Sequence, residues 1–188
     1  MFKGLMRWMG SKADKTPKRS EPFIQEPASV DEFKGYLKAE IYKSPFVKTE
    51  ARERVLANML TGQSLKAPGV STDEKKRLGL NARLKITQAH LDDLAPEAFA
   101  IDPKKVVAAI YHRAFHKHAR RSELARKRNA GITAYRPASV KDQRECSWCL
   151  GMSGKIIPIT QDFDDLAEGN CTCEYCRCCL IAHIPGVT

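Results

Sequence analysis

Apolar residues recur with a helical period through most of this chain, and strand-like patterning enters only near the C-terminus. In "SVDEFKGYLKAEIYKSP", residues 29–45, Phe33, Tyr36, Leu37 and Ile41 share one helical face. Ser29 and Glu32 have the form of a capping box, and Pro45 supplies a stop. A second helix is expected over "TEARERVLANMLTG", with Thr49 as cap and Gly62 as terminator. Its stripe is Val55, Leu56, Met59 and Leu60. "STDEKKRLGLNARLKIT" and "QAHLDDLAPEAFA" read as shorter helices. His90 within the latter reads as a surface or satisfied core histidine rather than a ligand.

The clearest element is a long helix entered through Asp102 and Pro103, cap and first turn, and stopped at Gly131. Val106, Val107, Ile110, Ala114, Phe115 and Leu124 mark its expected buried stripe. His112 and His116 lie one turn apart, but the surrounding cations repel a metal and no His-Glu-x-x-His pattern is present. They read as protonatable helpers on a basic face. Beyond Gly131, "GITAYRPASV" and "GKIIPIT" each supply a short strand, with Gly151 and Gly154 permitting a tight turn. The expected fold is mainly α, with a small α+β zinc-binding module built on a short hairpin. Its units are a basic disordered arm over 1–28, a helical body over 29–131 and the module over 132–188.

Charge sharpens this picture. The chain of 188 residues has a formal net charge of +10. Residues 1–20 carry six cations against Asp14, and residues 104–128 carry nine against Glu123. Lys117, Arg120, Arg121, Arg126, Lys127 and Arg128 are therefore candidates for binding nucleic acid or an acidic partner; the competing reading is a solvated helix face. No apolar run is long enough to span a membrane, and the N-terminus lacks the form of a secretory signal. The seven cysteines are then expected in a reducing compartment, where metal binding is favoured over disulfides.

Cys146-Ser-Trp-Cys149 and Cys173-Glu-Tyr-Cys176 form two Cys-x-x-Cys pairs, the pattern of a four-cysteine site for one zinc ion. Each pair can aim two thiolates at one ion, and a hairpin between the pairs can close the tetrahedron. Cys178 is a reserve ligand, and Cys171 and Cys179 read as spare thiols. A thioredoxin-like redox pair lacks the βαβ context it needs. An iron–sulfur cluster has the same ligand count. Cys-x-Cys and Cys-Cys together suggest a multi-metal cluster, yet two separate all-cysteine sites need more thiols than the chain has; a second zinc would have to recruit His183.

"GITAYRPASVKDQRECSWCLGMSGKIIPI" and "CEYCRCCLIAHIPG" together resemble the C-terminal region of the Mu F-like phage head morphogenesis family, the minor head proteins. The matching features are Asp142-x-Arg144-x-Cys146-x-x-Cys149, then Ser153-Gly154-Lys155, then Cys173-x-x-Cys176-Arg177-Cys178. "RRSELARKRNAGI" upstream resembles the family's basic helix. Cys173 stands where the family has histidine, and Ser153 where it has aspartate. The resemblance implies a structural virion protein without catalytic activity or small-molecule substrate. It would act at the portal and major capsid protein during head assembly in the host bacterial cytoplasm, with packaged double-stranded DNA as a further contact. A small zinc-module regulator that binds nucleic acid is the alternative. A nuclease on a treble-clef-like scaffold lacks a histidine base near the hairpin, since residues 141–170 contain none.

Overall fold

A computed structural model describes residues 30–62 and 66–186. The basic arm over 1–28, Ser29 of the expected capping box and the arm's share of the charge lie outside the described residues.

Helix α1 (Val30–Lys43) lies along the first half of the long helix, and α2 (Arg52–Thr61) closes the group. Leu37 and Ile41, one turn apart on α1, are fully buried against Val106, Ile110 and Ala114. This seam is the amphipathic pattern satisfied by burial. Thr49 does not cap α2. It opens a 3-10 turn over Thr49–Ala51, in which the Ala51 N–H donates to the Lys48 carbonyl at 3.0 Å. Gly62 ends α2 at φ 68°, a left-handed conformation that glycine adopts without a Cβ clash. Val55 and Leu56 are buried, whereas Leu60 in the last turn is exposed.

The two shorter helices are cut further than expected. Helix α3 (Thr72–Arg77) is capped by the Ser71 hydroxyl, which accepts from the Glu74 N–H at 3.1 Å, and stops before Gly79. "QAHLDDLAPEAFA" forms two helices, α4 (Gln88–Asp93) and α5 (Glu97–Ile101). Pro96 disfavours helical backbone just before it. Leu94 is extended there and bridges Val47.

Helix α6 (Pro103–Asn129) has the expected limits. The Asp102 carboxylate accepts from the Lys104 N–H at 2.9 Å, and Gly131 closes the helix at φ 75°. Phe115, expected in the buried stripe, is 46% exposed. Five positions beyond Ile110 it has rotated well off the face that Ile110 and Ala114 bury.

The second half of α6 packs on a three-stranded antiparallel sheet ordered β2-β1-β3, made of β2 (Ile157–Pro158), β1 (Ala134–Ala138) and β3 (Cys179–His183). Tyr135 at its centre pairs with Ile157 on one side and Ala182 on the other, fully buried. The expected tight hairpin is replaced by a longer excursion. Helix α7 (Ser147–Met152) lies between β1 and β2 and contains Gly151. Gly154 alone makes the turn, at φ 81°, its N–H donating to the Pro137 carbonyl at 2.8 Å. Helix α8 (Phe163–Ala167) follows β2. The fold is thus mainly helical with a small antiparallel sheet, and the described residues form two cores: one in the helical body, and one around Leu124, Tyr135, Phe163 and Leu180.

His90 is a satisfied core histidine, 6% exposed. Its Nδ1 accepts from the Thr87 N–H at 3.2 Å, completing the cap of α4. Burial, then the charge of Lys104, lowers its pKa below the ordinary value. A base with a depressed folded-state pKa contributes stability above the ordinary histidine pKa of about 6.5 and loses it as pH falls. Urea unfolding should therefore show declining stability from pH 7.5 to pH 5. His90→Gln keeps an acceptor at the same capping position without titrating, and it should flatten that slope. Equal slopes in the two proteins would refute the assignment.

Candidate metal centre

The cysteines that could hold a metal ion are delivered by two segments that the second core holds face to face. The first is the turn into α7, with Cys146 at the N-cap and Cys149 one turn later. Cys149 is completely buried, and Trp148 beside it packs on Phe163 with ring centroids 5.6 Å apart. The second is the irregular loop from α8 to β3, which carries Cys171, Cys173, Cys176 and Cys178.

Each segment is fixed from outside the sulfur cluster. The Glu145 carboxylate accepts from the N–H groups of Val140 and Lys141, both at 2.6 Å, shaping the approach to Cys146. Lys141 sits there at φ 58°. Asp142 takes the Arg177 guanidinium on both oxygens, at 2.7 and 2.5 Å. These bonds, helped by the Arg144 N–H, hold the Asp142 carboxyl well below the usual carboxylate range. Arg177 thus ties the loop to the α7 approach.

Helix α6 supplies the remaining supports. Arg113 Nε donates to the Glu174 carbonyl at 2.6 Å. Tyr175 stacks on His112 and His116, with centroids at 4.8 and 5.8 Å. Burial, then the charge of Arg120, lowers the His116 pKa, which favours the neutral ring. Arg120, 7% exposed, donates to both oxygens of Asp164 on α8 and through Nη1 to the Cys176 carbonyl at 2.8 Å.

The sulfurs of Cys146, Cys149, Cys171 and Cys173 all lie within 4.8 Å of one another. The Cys149–Cys171, Cys149–Cys173 and Cys146–Cys171 separations are 3.5, 3.8 and 3.9 Å. A tetrahedral ion with metal–sulfur bonds of about 2.3 Å sets its sulfurs roughly 3.8 Å apart, so this group can hold a metal ion with little adjustment. Cys171, expected as a spare thiol, stands in this group, whereas Cys176 stands in a second one with Cys149 and Cys178. Three of the four expected ligands, Cys146, Cys149 and Cys173, are together. Cys179 is exposed on β3 and apart from both groups.

The protonation pattern fits a cation. Burial pushes the Cys146 thiol up, but the N–H groups of Cys149 and Thr172 and the Cys173 thiol outweigh it and bring it down to about 6. The hydrogen bond from Cys178, and the Arg120 charge behind it, pull Cys176 down. Cys149 is pushed up by burial and by the Cys176 charge, and Cys171 chiefly by burial. So many thiols in contact cannot all ionise without a compensating positive charge, which a bound metal supplies.

The basic candidates divide. Arg120 and Lys127 are buried, Lys127 against Glu123, so neither is presented to a polyanion. Arg121 pairs with Asp162 and Asp165 at 3.1 and 2.8 Å, and Arg128 Nε donates to the Ile159 carbonyl at 3.0 Å. Lys117 is half-buried beside the cysteine loop, and Arg126, paired with Glu123, is exposed. Among the described residues no helix is long and apolar enough to cross a membrane. Compared with known protein families, curated proteins and solved structures, the chain matches none.

Removing one partner of a buried ion pair leaves an uncompensated charge at a cost of about 3–5 kcal/mol. Asp164→Ala should destabilise the protein by that order in urea unfolding. Pairing it with Arg120→Met, which removes the stranded guanidinium, should recover part of the loss. A double variant as unstable as the sum of the single variants would show that the two side chains act independently.

Proposed function

We propose that the protein is a structural minor head protein of a tailed bacteriophage, acting at the portal and capsid while the head assembles, and that a zinc ion in the Cys146, Cys149, Cys171 and Cys173 group holds its C-terminal module closed. One observation carries this reading. The separate pieces of the motif that resembles the Mu F-like family converge on one another: Asp142 of the first piece grips Arg177 of the last, and the cysteines of both face one centre. Spacing in a sequence does not require that convergence, and a shared structural clasp accounts for it.

Zinc suits the donor set. Thiolates are soft ligands, and four of them close a tetrahedron with no position left for substrate, the form of a structural site. Such a site contributes apparent binding energy on the order of 10–16 kcal/mol in small modules, enough to fix a loop without helix or strand of its own. The partner surface is then the outside of the helical body and the exposed remainder of the basic face. The portal, the major capsid protein and packaged double-stranded DNA are its partners in this reading, reached in the host cytoplasm during assembly and kept in the virion head. A regulator that binds duplex DNA would need a continuous basic face. The inward turn of Arg120 and Lys127 and the engagement of Arg121 and Arg128 weigh against that alternative.

Fractionation of the particles that carry this protein tests the proposal. The protein should co-purify with DNA-filled heads and with portal complexes. Its absence from particles, together with retention on specific duplex DNA in cell extracts, would overturn the proposal in favour of the regulator. A separate measurement addresses the clasp: Cys146→Ser should lower thermal stability and open the 169–178 loop to protease. Unchanged melting and protease resistance would remove the structural role assigned to the site.

A further inference from the structure

Four thiolates complete one tetrahedral ion, yet two more thiols stand at coordinating distance from a sulfur already in that set. Cys149, Cys176 and Cys178 form a second group whose sulfurs all lie within 4.8 Å of one another, with Cys149 and Cys176 at 3.7 Å. Cys149 is fully buried and Cys178 is 3% exposed. The two groups share Cys149 and no other residue.

A thiolate sulfur has lone pairs enough to bind two metal ions at once. Sharing it also removes the obstacle that two separate four-cysteine sites would need more thiols than the chain has. We propose that the cluster holds two soft divalent ions bridged by the Cys149 sulfur. The first ion is closed by Cys146, Cys171 and Cys173. The second is bound by Cys149, Cys176 and Cys178, with its fourth position taken by a solvent-derived ligand. The inference rests on the metal-clasp reading of the first group and extends it.

Charge and support agree with this arrangement. Two divalent ions against six thiolates leave a small negative charge, and the buried Arg120 guanidinium lies beside the second group, bonded to the Cys176 carbonyl. Each thiol that binds loses its proton to solvent, so loading the second ion releases protons and involves no redox step. With three protein ligands instead of four, the second ion should bind more weakly than the first.

Cadmium, a soft divalent ion that reports on thiolate ligands, provides the test. Full-length protein loaded with cadmium should carry two ions per chain in native mass spectrometry. Cadmium NMR should give two resonances, both correlated with the β-protons of Cys149. Cys178→Ser should reduce the stoichiometry to one and remove the weaker site, and Cys179→Ser should leave two. If Cys178→Ser does not fold, the wild-type correlations decide alone. Saturation at one ion, or two resonances that share no cysteine, would overturn the bridged pair while leaving the single clasp intact. No bound ion at all would overturn both. Loss of the second ion in Cys179→Ser would place it elsewhere and refute the assignment.

Discussion

The buried guanidinium of Arg120 is the constraint on which the two halves of this molecule jointly depend. A charge 7% exposed is tolerated only where every direction around it is satisfied. Asp164 neutralises it through both carboxylate oxygens, and the Cys176 carbonyl takes a further N–H. Those partners belong to α8 and to the cysteine loop, whereas Arg120 belongs to α6. The first half of helix α6 packs against α1, and that packing places the guanidinium. The loop must come to it. One interaction thereby sets the distance between the helical body and the ligand-bearing segment.

The supports around the cysteines run along the loop one after another. Arg120 fixes the loop at Cys176, Arg113 and the stacked Tyr175 fix it two and one residues earlier, and Arg177 carries the restraint across to Asp142. None of these contacts uses a thiol. The sulfurs are therefore brought to spacings near a tetrahedral edge by packing and ion pairing, so a metal ion would meet a nearly formed site. That arrangement lowers the ordering cost of binding, as preorganisation does for any ligand. It also explains why a loop lacking regular secondary structure has a defined path: its backbone is held by side chains of α6, and its side chains converge inward.

Much of the fold was legible because local chemistry decides it. Asp102-Pro103 and Gly131 bound α6 through capping and a left-handed stop, and these need no tertiary partner. The pairing of Leu37 with Ile41 follows from helical period alone. What was not legible depends on neighbours. Phe115 is apolar and near the stripe, but only the angular position of Ile110 and Ala114 shows that it lies outside the seam. Strand β3 was masked because its first residue, Cys179, belongs to the cysteine run, although the alternation in "CLIAH" was a usable signal. At the site, Cys146, Cys149 and Cys173 were readable from the spacing of two Cys-x-x-Cys pairs. Cys171 was not, because the assumption that ligands come in such pairs assigned Cys176 to its place. Only the turn after α8 reveals that Cys171 and Cys173 face the same centre.

The basic helix shows why charge counted along a sequence misjudges charge on a surface. Its second half carries a dense run of cations, and a polyanion partner is the natural inference. In three dimensions the run is partitioned by helical angle. Arg120 and Lys127 lie two turns apart on the inward face, where Asp164 and Glu123 neutralise them. Arg121 turns partly inward to the acidic cap of α8, and the exposed Arg128 donates to the Ile159 carbonyl in the turn after β2. The module that follows α6 is locally acidic around residues 162–168, so the helix provides the counter-charge that lets it dock. A cationic stretch next to a thiolate cluster and an acidic helix is first of all an intramolecular partner. Of the candidate run, Arg126 and Arg128 remain exposed and Lys117 half-buried, a smaller cationic surface than the sequence suggests.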